Sequence, residues 1–86
     1  MAKYAVEFKS SARKELESLS DRLITRALTK IENLSDDPRP PGSKKLRGYK
    51  DIWRVRVGDY RIVYIIDDME KLVSITRVAH RKAVYE

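Results

Sequence analysis

Large apolar residues alternate with small or polar ones near the start of the chain. Tyr4, Val6 and Phe8 are separated by Ala5 and Glu7. A period of two is typical of a strand with one buried face, so this segment predicts a short strand.

Two helices are predicted to follow that strand. The first carries three apolar residues at helical spacing: Ala12, Leu16 and Leu19. Ser10 or Ser11 could cap its N-terminus, and Ser20 could cap the second helix. The second helix has a clear amphipathic stripe. The stripe consists of Leu23, Ile24, Ala27, Leu28, Ile31 and Leu34.

A proline-rich stretch, residues 36–42, ends the second helix. It contains three prolines within four residues, which makes a stiff, extended connector. Beyond it the period returns to two, which predicts three strands. These strands span residues 52–57, 60–66 and 72–78. A polar turn at residues 67–70 separates the last two strands, and residues 79–86 are expected to form one helical turn.

The predicted elements follow the order β-α-α-β-β-β. This order indicates an α+β fold in which a small, mainly antiparallel sheet packs on an N-terminal helical hairpin. A length of 86 residues suits one domain, so residues 1–86 are interpreted as a single domain.

The loop Gly58-Asp59 fixes the register of the first predicted hairpin. A two-residue loop with glycine in the first position suits a type II′ turn, which places Arg56 directly opposite Arg61. One face of the hairpin is then apolar or aromatic and should cover the helices. It consists of Trp53, Val55, Val57, Tyr60, Ile62 and Tyr64. The other face consists of Arg54, Arg56, Arg61, Val63 and Ile65.

Three arginines on one sheet face favour a functional interpretation. Like charges directly opposite each other destabilise a sheet, and local rules of this kind are broken where function demands it. The simpler alternative is that each arginine pairs with a carboxylate from elsewhere or extends into water.

The last strand is placed by assuming a four-residue loop at residues 67–70. Tyr64 then pairs with Val73, and Val73 and Ile75 join the apolar face. The arginine face then takes Leu72, Ser74, Thr76, Val78 and His80. His80 and Arg81 are expected at the edge of the cationic surface, with Tyr85 close behind. A loop one residue longer would invert this assignment.

Positive charge is concentrated in one segment. The chain carries a net charge of +6, and residues 44–61 contain 7 basic and 2 acidic side chains, a net charge of +5. A patch of this kind favours a polyanionic partner such as nucleic acid, a ribosome or an acidic protein. The alternative is that the charge serves only solubility.

The composition also indicates a compartment. The chain has no cysteine, which is compatible with a reducing environment, and no apolar segment suggests a signal peptide or a membrane span. We therefore expect a cytoplasmic protein that does not associate with membranes.

The arginine face suggests phosphate chemistry. Guanidinium groups bind phosphate bidentately and stabilise the negative charge of a phosphoryl-transfer transition state. A histidine or tyrosine could move the proton, and an aromatic ring could stack on a base. One histidine, no cysteine and no glycine-rich phosphate loop predict no metal site and no cofactor. Metal-free cleavage of RNA through its own 2′-hydroxyl is the reaction that fits best.

The remaining candidate residues are four basic side chains and His80. Lys44, Lys45, Arg47 and Lys50 are interpreted as a rim that attracts the phosphates of RNA or the ribosome. His80, considered alone, is weak evidence for catalysis, because a lone histidine near the end of a strand is more often structural than catalytic.

Two segments resemble a known family. Residues 45–49, KLRGY, and residues 53–64, WRVRVGDYRIVY, resemble the hallmark region of RelE/ParE-superfamily toxins. Residues 78–85, VAHRKAVY, are similar to the C-terminal motif of that family. The resemblance implies a RelE-type toxin of a type II toxin–antitoxin pair, which cleaves mRNA in the ribosomal A site without a metal and leaves a 2′,3′-cyclic phosphate.

The resemblance also implies roles for individual residues. Arg61 matches the arginine that stabilises the transition state, and Arg81 matches the one that assists the leaving group or orients the phosphate. Tyr85 resembles the tyrosine that contacts the substrate base. Arg54 and Arg56 stand where RelE itself has two lysines.

Arginine is a poor proton acceptor, so the resemblance leaves the general base to be found. His80 is the expected substitute, because related mRNA-cleaving toxins use a histidine near this position.

The family implies particular partners. These are a RelB-like antitoxin, mRNA and the ribosome, together with operator DNA bound through the antitoxin in the toxin–antitoxin complex. An acidic antitoxin segment would suit the basic face. Two alternatives are a ParE-like inhibitor of DNA gyrase and a homologue without catalytic activity, such as a basic adaptor.

Overall fold

The computed structural model describes residues 3–46, 48 and 51–83, and in these residues the chain forms two α-helices and five strands. The helices are α1 (Ser10–Glu17) and α2 (Asp21–Asp36). The strands are β1 (Ala5–Phe8), β2 (Lys44–Lys45), β3 (Ile52–Val57), β4 (Tyr60–Asp67) and β5 (Leu72–His80). β5 extends two residues beyond the predicted end of the last strand. A 3₁₀ turn, Arg81–Ala83, follows it, so the helical turn predicted within residues 79–86 begins after His80.

The strands form one mixed sheet in the order β1-β5-β4-β3-β2. β1 runs parallel to β5, and the other neighbouring pairs are antiparallel. The predicted α+β class is therefore confirmed. The two-residue strand β2 was not predicted, because two residues are too few to show a period.

The core lies between the helices and one face of the sheet. Ala27, Ile31 and Leu34 of α2 are buried, as their helical spacing predicts. The sheet contributes the buried side chains Val55, Val57, Ile62, Tyr64, Ile66, Val73, Ile75 and Val78. Each large apolar side chain buried here stabilises the fold by about 1.5–3 kcal/mol relative to an exposed one.

One of the two predicted helix caps is confirmed. The hydroxyl of Ser20 accepts a hydrogen bond from the N–H of Leu23 at 3.3 Å and so caps α2. The serine cap predicted for α1 is wrong, because Ser10 is already helical and Lys9 occupies the cap position without a side-chain bond.

The predicted register of the β3–β4 hairpin is confirmed. Val57 pairs with Tyr60, and Arg56 pairs with Arg61. Gly58 has a φ of +58°, whereas the described non-glycine residues with positive φ do not include Asp59. This combination suits a type II′ turn, in which glycine accepts the conformation that other residues avoid.

The predicted register of β5 is wrong in two respects. Tyr64 pairs with Ile75 rather than with Val73, because the pairing begins with Asp67 opposite Leu72. This shift of two residues keeps the predicted face for the first half of the strand, so Val73 and Ile75 are buried in the core.

The second error concerns the face of the last residues of β5. The register shifts between Val63 and Tyr64, and Thr76 is the extra residue opposite this step. Beyond it Val78 pairs with Ile62, on the helix side of the sheet, and not on the arginine face as predicted. An odd number of inserted residues exchanges the two faces of a strand.

Among the described residues, no helix combines the length and the apolar character that crossing a membrane would require.

Candidate active site

The three predicted arginines lie together on the sheet face that points away from the helices. Arg54 and Arg56 alternate along β3, and Arg61 of β4 stands directly opposite Arg56. Arg56 is exposed, whereas Arg54 and Arg61 are only 4% and 6% exposed. Arg54 and Arg61 are therefore packed into this face of the sheet, and the side chain of Arg56 lies exposed beside them.

Arg61 is oriented by the hairpin turn beside it. Its Nη1 donates hydrogen bonds to the carbonyl oxygens of Gly58 at 3.5 Å and Tyr60 at 3.3 Å. Carbonyl acceptors orient a guanidinium group without cancelling its charge. The turn that sets the register of the hairpin thus also sets the direction of this side chain.

Arg54 is oriented by the segment that joins α2 to β2. We name residues 38–43 the proline strap. Arg54 Nη1 donates to the carbonyl oxygen of Gly42 in this strap at 3.3 Å. Gly42 has a φ of +91°, in a region open mainly to glycine, so the strap can turn its carbonyl toward the sheet there.

The strap is in turn attached to the core by Tyr64. The phenol of Tyr64 donates a 2.6 Å hydrogen bond to the carbonyl oxygen of Pro38. Burial raises the pKa of Tyr64 to about 12, and a hydrogen bond from the Ser43 side chain offsets only part of this effect. The phenol therefore stays protonated and keeps donating at any physiological pH.

A surface network holds the outer side of the strap. Arg39 donates to both carboxylate oxygens of Asp68, at 3.3 and 3.0 Å, and its guanidinium lies 5.4 Å from the centre of the Trp53 ring. Asp68 also accepts a 2.6 Å hydrogen bond from the hydroxyl of Tyr4. Arg39 first, and Tyr4 second, lower the pKa of Asp68 to about 2. Sequence reasoning missed this network, because no period or motif marks it.

Arg81 lies at the same turn that orients Arg61. Its backbone N–H donates to the carbonyl oxygen of Asp59 at 2.7 Å, and its Nε lies 3.9 Å from a carboxylate oxygen of that residue. The structure therefore places Arg81 at the end of the hairpin, next to the arginine face.

His80 lies on the other face of the sheet, contrary to the prediction. It pairs with Tyr60, which belongs to the helix side, and the two rings meet edge to face with centroids 5.5 Å apart. The extra residue Thr76 is the reason, because it exchanges the faces of the residues after it. His80 Nδ1 accepts a 3.2 Å hydrogen bond from the N–H of Lys82, which assigns the proton of the neutral ring to Nε2.

The predicted basic rim divides between the two faces. Lys44 pairs with Arg54 and so lies on the arginine face, whereas Lys45 pairs with Trp53 and lies on the opposite one. Both lysines are exposed. Arg47, Lys50 and Tyr85 lie outside the described residues.

The fold and this face together define a class: a small α+β protein that concentrates cationic side chains on the open side of its sheet. Residues 6–85 match the family described as ParE toxin of type II toxin-antitoxin system, parDE. The chain belongs to this family of toxins, and the resemblance found in its sequence is thereby confirmed.

Two curated relatives cover almost the whole chain. Toxin RelG of Mycobacterium tuberculosis is 34% identical over 83 residues, which cover 95% of both chains. Putative toxin RelE1 of Methanocaldococcus jannaschii is 26% identical over 87 residues, which cover 98% of this chain and 97% of that relative.

Solved toxin structures share the fold. The RelBE2 toxin–antitoxin complex of Mycobacterium tuberculosis contains a chain that superposes with a TM-score of 0.81 at 35% identity, covering 94% of both chains. The archaeal RelE–RelB complex of Pyrococcus horikoshii contains one with a TM-score of 0.83 at 29% identity, covering 98% of this chain and all of the other. The protein is thus a RelE-like toxin in fold and family.

Proposed function

We propose that this toxin is an endoribonuclease that cleaves mRNA in the ribosomal A site and so inhibits translation. The observation that supports it most directly is the convergence of Arg54, Arg56 and Arg61 on one sheet face, with Arg81 at the adjoining turn. This arrangement offers several permanent positive charges to one phosphate.

The proposed reaction is an attack within the RNA itself. The 2′-oxygen gives its proton to solvent water and bonds to the neighbouring phosphorus, the bond to the 5′-oxygen breaks, and that oxygen takes up a proton from water. The products are a 2′,3′-cyclic phosphate and a free 5′-hydroxyl. Negative charge grows on the phosphoryl oxygens during the attack, so fixed guanidinium groups stabilise the transition state more than the substrate.

We assign the role of charge stabilisation to Arg61, because its direction is fixed by two carbonyl bonds. Arg81 would orient the phosphate or assist the leaving oxygen from the neighbouring turn. Arg54 and Arg56 would bind the phosphates, and Tyr85, which lies outside the described residues, would contact the base.

His80 has a different role in this proposal. Its Nδ1 already accepts the Lys82 N–H, so its Nε2 carries the proton and donates. We therefore propose that His80 is a hydrogen-bond donor at the end of the sheet, rather than the group that takes the proton from the 2′-hydroxyl.

The proposal includes an antitoxin. The RelBE2 and archaeal RelE–RelB structures are toxin–antitoxin complexes, which supports a cognate RelB-like antitoxin for this chain. An acidic segment of that antitoxin would complement the basic face, and the complex would bind operator DNA through the antitoxin. A protein that acts on ribosomes in this way would work in the cytoplasm.

The test is a translation reaction with a reporter mRNA, the protein and purified ribosomes, with cleavage mapped by primer extension. The protein should cut the message on ribosomes, and Arg61→Ala should slow cleavage by about 10²–10³, as for loss of one fixed transition-state donor. Arg13→Ala, an exposed change on α1, is the matched control and should cleave normally. An uncut message with the unmodified protein would refute the proposal.

A second candidate function follows from the family description, which names ParE. A ParE-like toxin would inhibit DNA gyrase and leave mRNA intact. A supercoiling assay with the same preparation separates the two, because an RNA-cleaving toxin should leave gyrase activity unchanged.

A further inference from the structure

A groove runs along the side of the molecule between α2 and the edge of β3. It consists of two adjoining cavities of about 510 Å³ and about 320 Å³, which share Lys30 and Asn33. The larger cavity lies between α2, the proline strap and β3, and the smaller one continues along α2 beside Val57. We name the two together the α2–β3 groove.

The groove is strongly cationic. The described residues that line it include five positive side chains and no carboxylate. The positive residues are Arg26, Lys30, Lys44, Arg54 and Arg56. Within the described part of the chain, no ion pair involves Arg26 or Lys30. A surface that serves solubility alone would mix both signs of charge.

The helix contributes its cations in a row. Arg22, Arg26 and Lys30 recur every four residues of α2, so they lie along one side of the helix. This row does not belong to the basic segment that the sequence singled out, residues 44–61. Folding brings Arg26 and Lys30 alongside that segment.

The groove adjoins the proposed active site at two places. At one it is lined by Arg54 and Arg56. At the other, Arg26 Nη1 lies 3.7 Å from the point where a Cβ on Gly58 would stand. Gly58 is the residue whose carbonyl oxygen orients Arg61. A strand held in the groove would therefore lead directly to the arginine face.

Two threonines of the groove favour RNA as its occupant. The hydroxyls of Thr25 and Thr29 donate to the carbonyl oxygens of Asp21 and Thr25, each at 3.0 Å. Each hydroxyl has one proton, so what remains available to a ligand is its oxygen, as an acceptor. The 2′-hydroxyl of RNA is a donor that DNA lacks.

We propose that the α2–β3 groove binds the sugar–phosphate backbone of an RNA strand, with Arg26 and Lys30 contacting phosphates and Thr25 and Thr29 accepting from 2′-hydroxyls. The proposal rests on the function proposed above, because it gives the substrate a path to the arginine face. The RNA is the message, because a strand in the groove is argued to lead to the arginine face.

The test compares the full-length protein with Arg26→Ala/Lys30→Ala. Binding of a short fluorescein-labelled single-stranded RNA, and of vacant ribosomes, is measured from about 50 to about 200 mM salt. Loss of two phosphate contacts should weaken RNA binding and lower the slope of log affinity against log salt by about 1.4, at about 0.7 per phosphate. Arg13→Ala/Lys14→Ala removes the same charge from α1 and is the matched control.

The outcomes separate the sources of RNA. Weaker binding of the free oligonucleotide supports the proposal with message in the groove. Weaker binding of ribosomes alone would assign the groove to ribosomal RNA and overturn the proposal for the message. Unchanged affinity and slope for both ligands would overturn it, as would equal binding of DNA of the same sequence or equally strong competition by polyglutamate. Lys30→Ala, a single exposed change, provides the same comparison should the double variant melt early.

The proposed function is judged separately. Arg61→Ala should lose cleavage and still bind the oligonucleotide. If the unmodified protein cuts no message but loses RNA affinity on Arg26→Ala/Lys30→Ala, then the groove is correct and the proposed activity is not.

Discussion

The phenolic oxygen of Tyr64, on the central strand of the sheet, donates a 2.6 Å hydrogen bond to the carbonyl oxygen of Pro38 at the start of the proline strap. Tyr64 is fully buried, and the same strap offers the Gly42 carbonyl to Arg54. A core residue is thereby connected, through the strap, to a side chain of the proposed active site on the opposite face of the sheet.

Replacing Tyr64 by phenylalanine should therefore affect both stability and activity. The change leaves the buried Pro38 carbonyl without its donor, which should lower the free energy of unfolding by about 1–3 kcal/mol. Cleavage should also slow, because the strap that orients Arg54 is loosened. Urea unfolding and single-turnover cleavage measure the two effects, and Tyr60→Phe on the same strand is the control. A variant that loses stability but cleaves at the normal rate would show that the strap does not position Arg54 for cleavage.

Replacing His80 by glutamine tests whether the imidazole takes a proton. The glutamine amide can donate from nearly the position of His80 Nε2, but it cannot act as a base. We expect cleavage to fall by less than about tenfold, within the loss of one hydrogen bond, and the pH profile to keep its shape. A loss as large as that of Arg61→Ala, together with disappearance of the acidic limb of the profile, would identify His80 as the base after all.

Asp68 should make the protein sensitive to acid. Its pKa is about 2 in the folded protein and about 3.9 in an unfolded chain, so the unfolded state binds more protons at intermediate pH. The carboxylate therefore stabilises the fold above about pH 4, and this contribution is lost as the pH falls toward 2. Thermal midpoints of the unmodified protein should fall more steeply over this interval than those of Asp68→Asn.

Arg39→Ala is the second variant in that experiment. Arg39 is the main cause of the low pKa of Asp68. Its removal should therefore make the thermal midpoint fall less steeply between about pH 4 and about pH 2. Equal slopes in all three proteins would show that this network does not couple to folding.

The serines at the N-termini of α1 and α2 provide a matched pair of variants for measuring stability. Ser20→Ala removes the side chain that caps α2 and should cost about 1 kcal/mol. Ser10→Ala replaces a residue that is already helical and makes no cap bond, so it should change stability by less than about 0.5 kcal/mol. Chemical denaturation measures both, and equal losses would contradict the assigned caps.

Local rules predicted the parts of the fold that depend on neighbours in sequence. A two-residue turn fixes the register of its hairpin, so the cross-strand pairing of Arg56 with Arg61 followed from Gly58-Asp59 alone. The stripe of α2 likewise followed from its spacing, since residues on one side of a helix are buried together.

The position of His80 was missed although the sequence contains a signal for it. Apolar residues stand at Val73, Ile75 and Val78, so the last interval is three rather than two. Thr76 and Arg77, two polar residues in succession, mark the extra residue in the strand. Reading this break as an irregularity would have placed Val78 and His80 correctly.

The strap network gave no such signal. Tyr64 and Pro38 are 26 residues apart, and Arg39 and Asp68 are 29 apart. Contacts of this kind depend on how the chain returns to itself, which a local period does not encode. The position of the basic residues of α2 beside the arginine face was missed for the same reason.

The irregularity in β5 has a consequence for which groups can react together. With Thr76 in place, both halves of the strand turn their apolar side chains toward the helices, and the imidazole of His80 stays with Tyr60. A strand one residue shorter would point Val78 outward and bring that imidazole across to the guanidinium groups of Arg56 and Arg61. The length of one strand, rather than the kinds of residue present, thus determines whether the histidine and the arginines can act on the same phosphate.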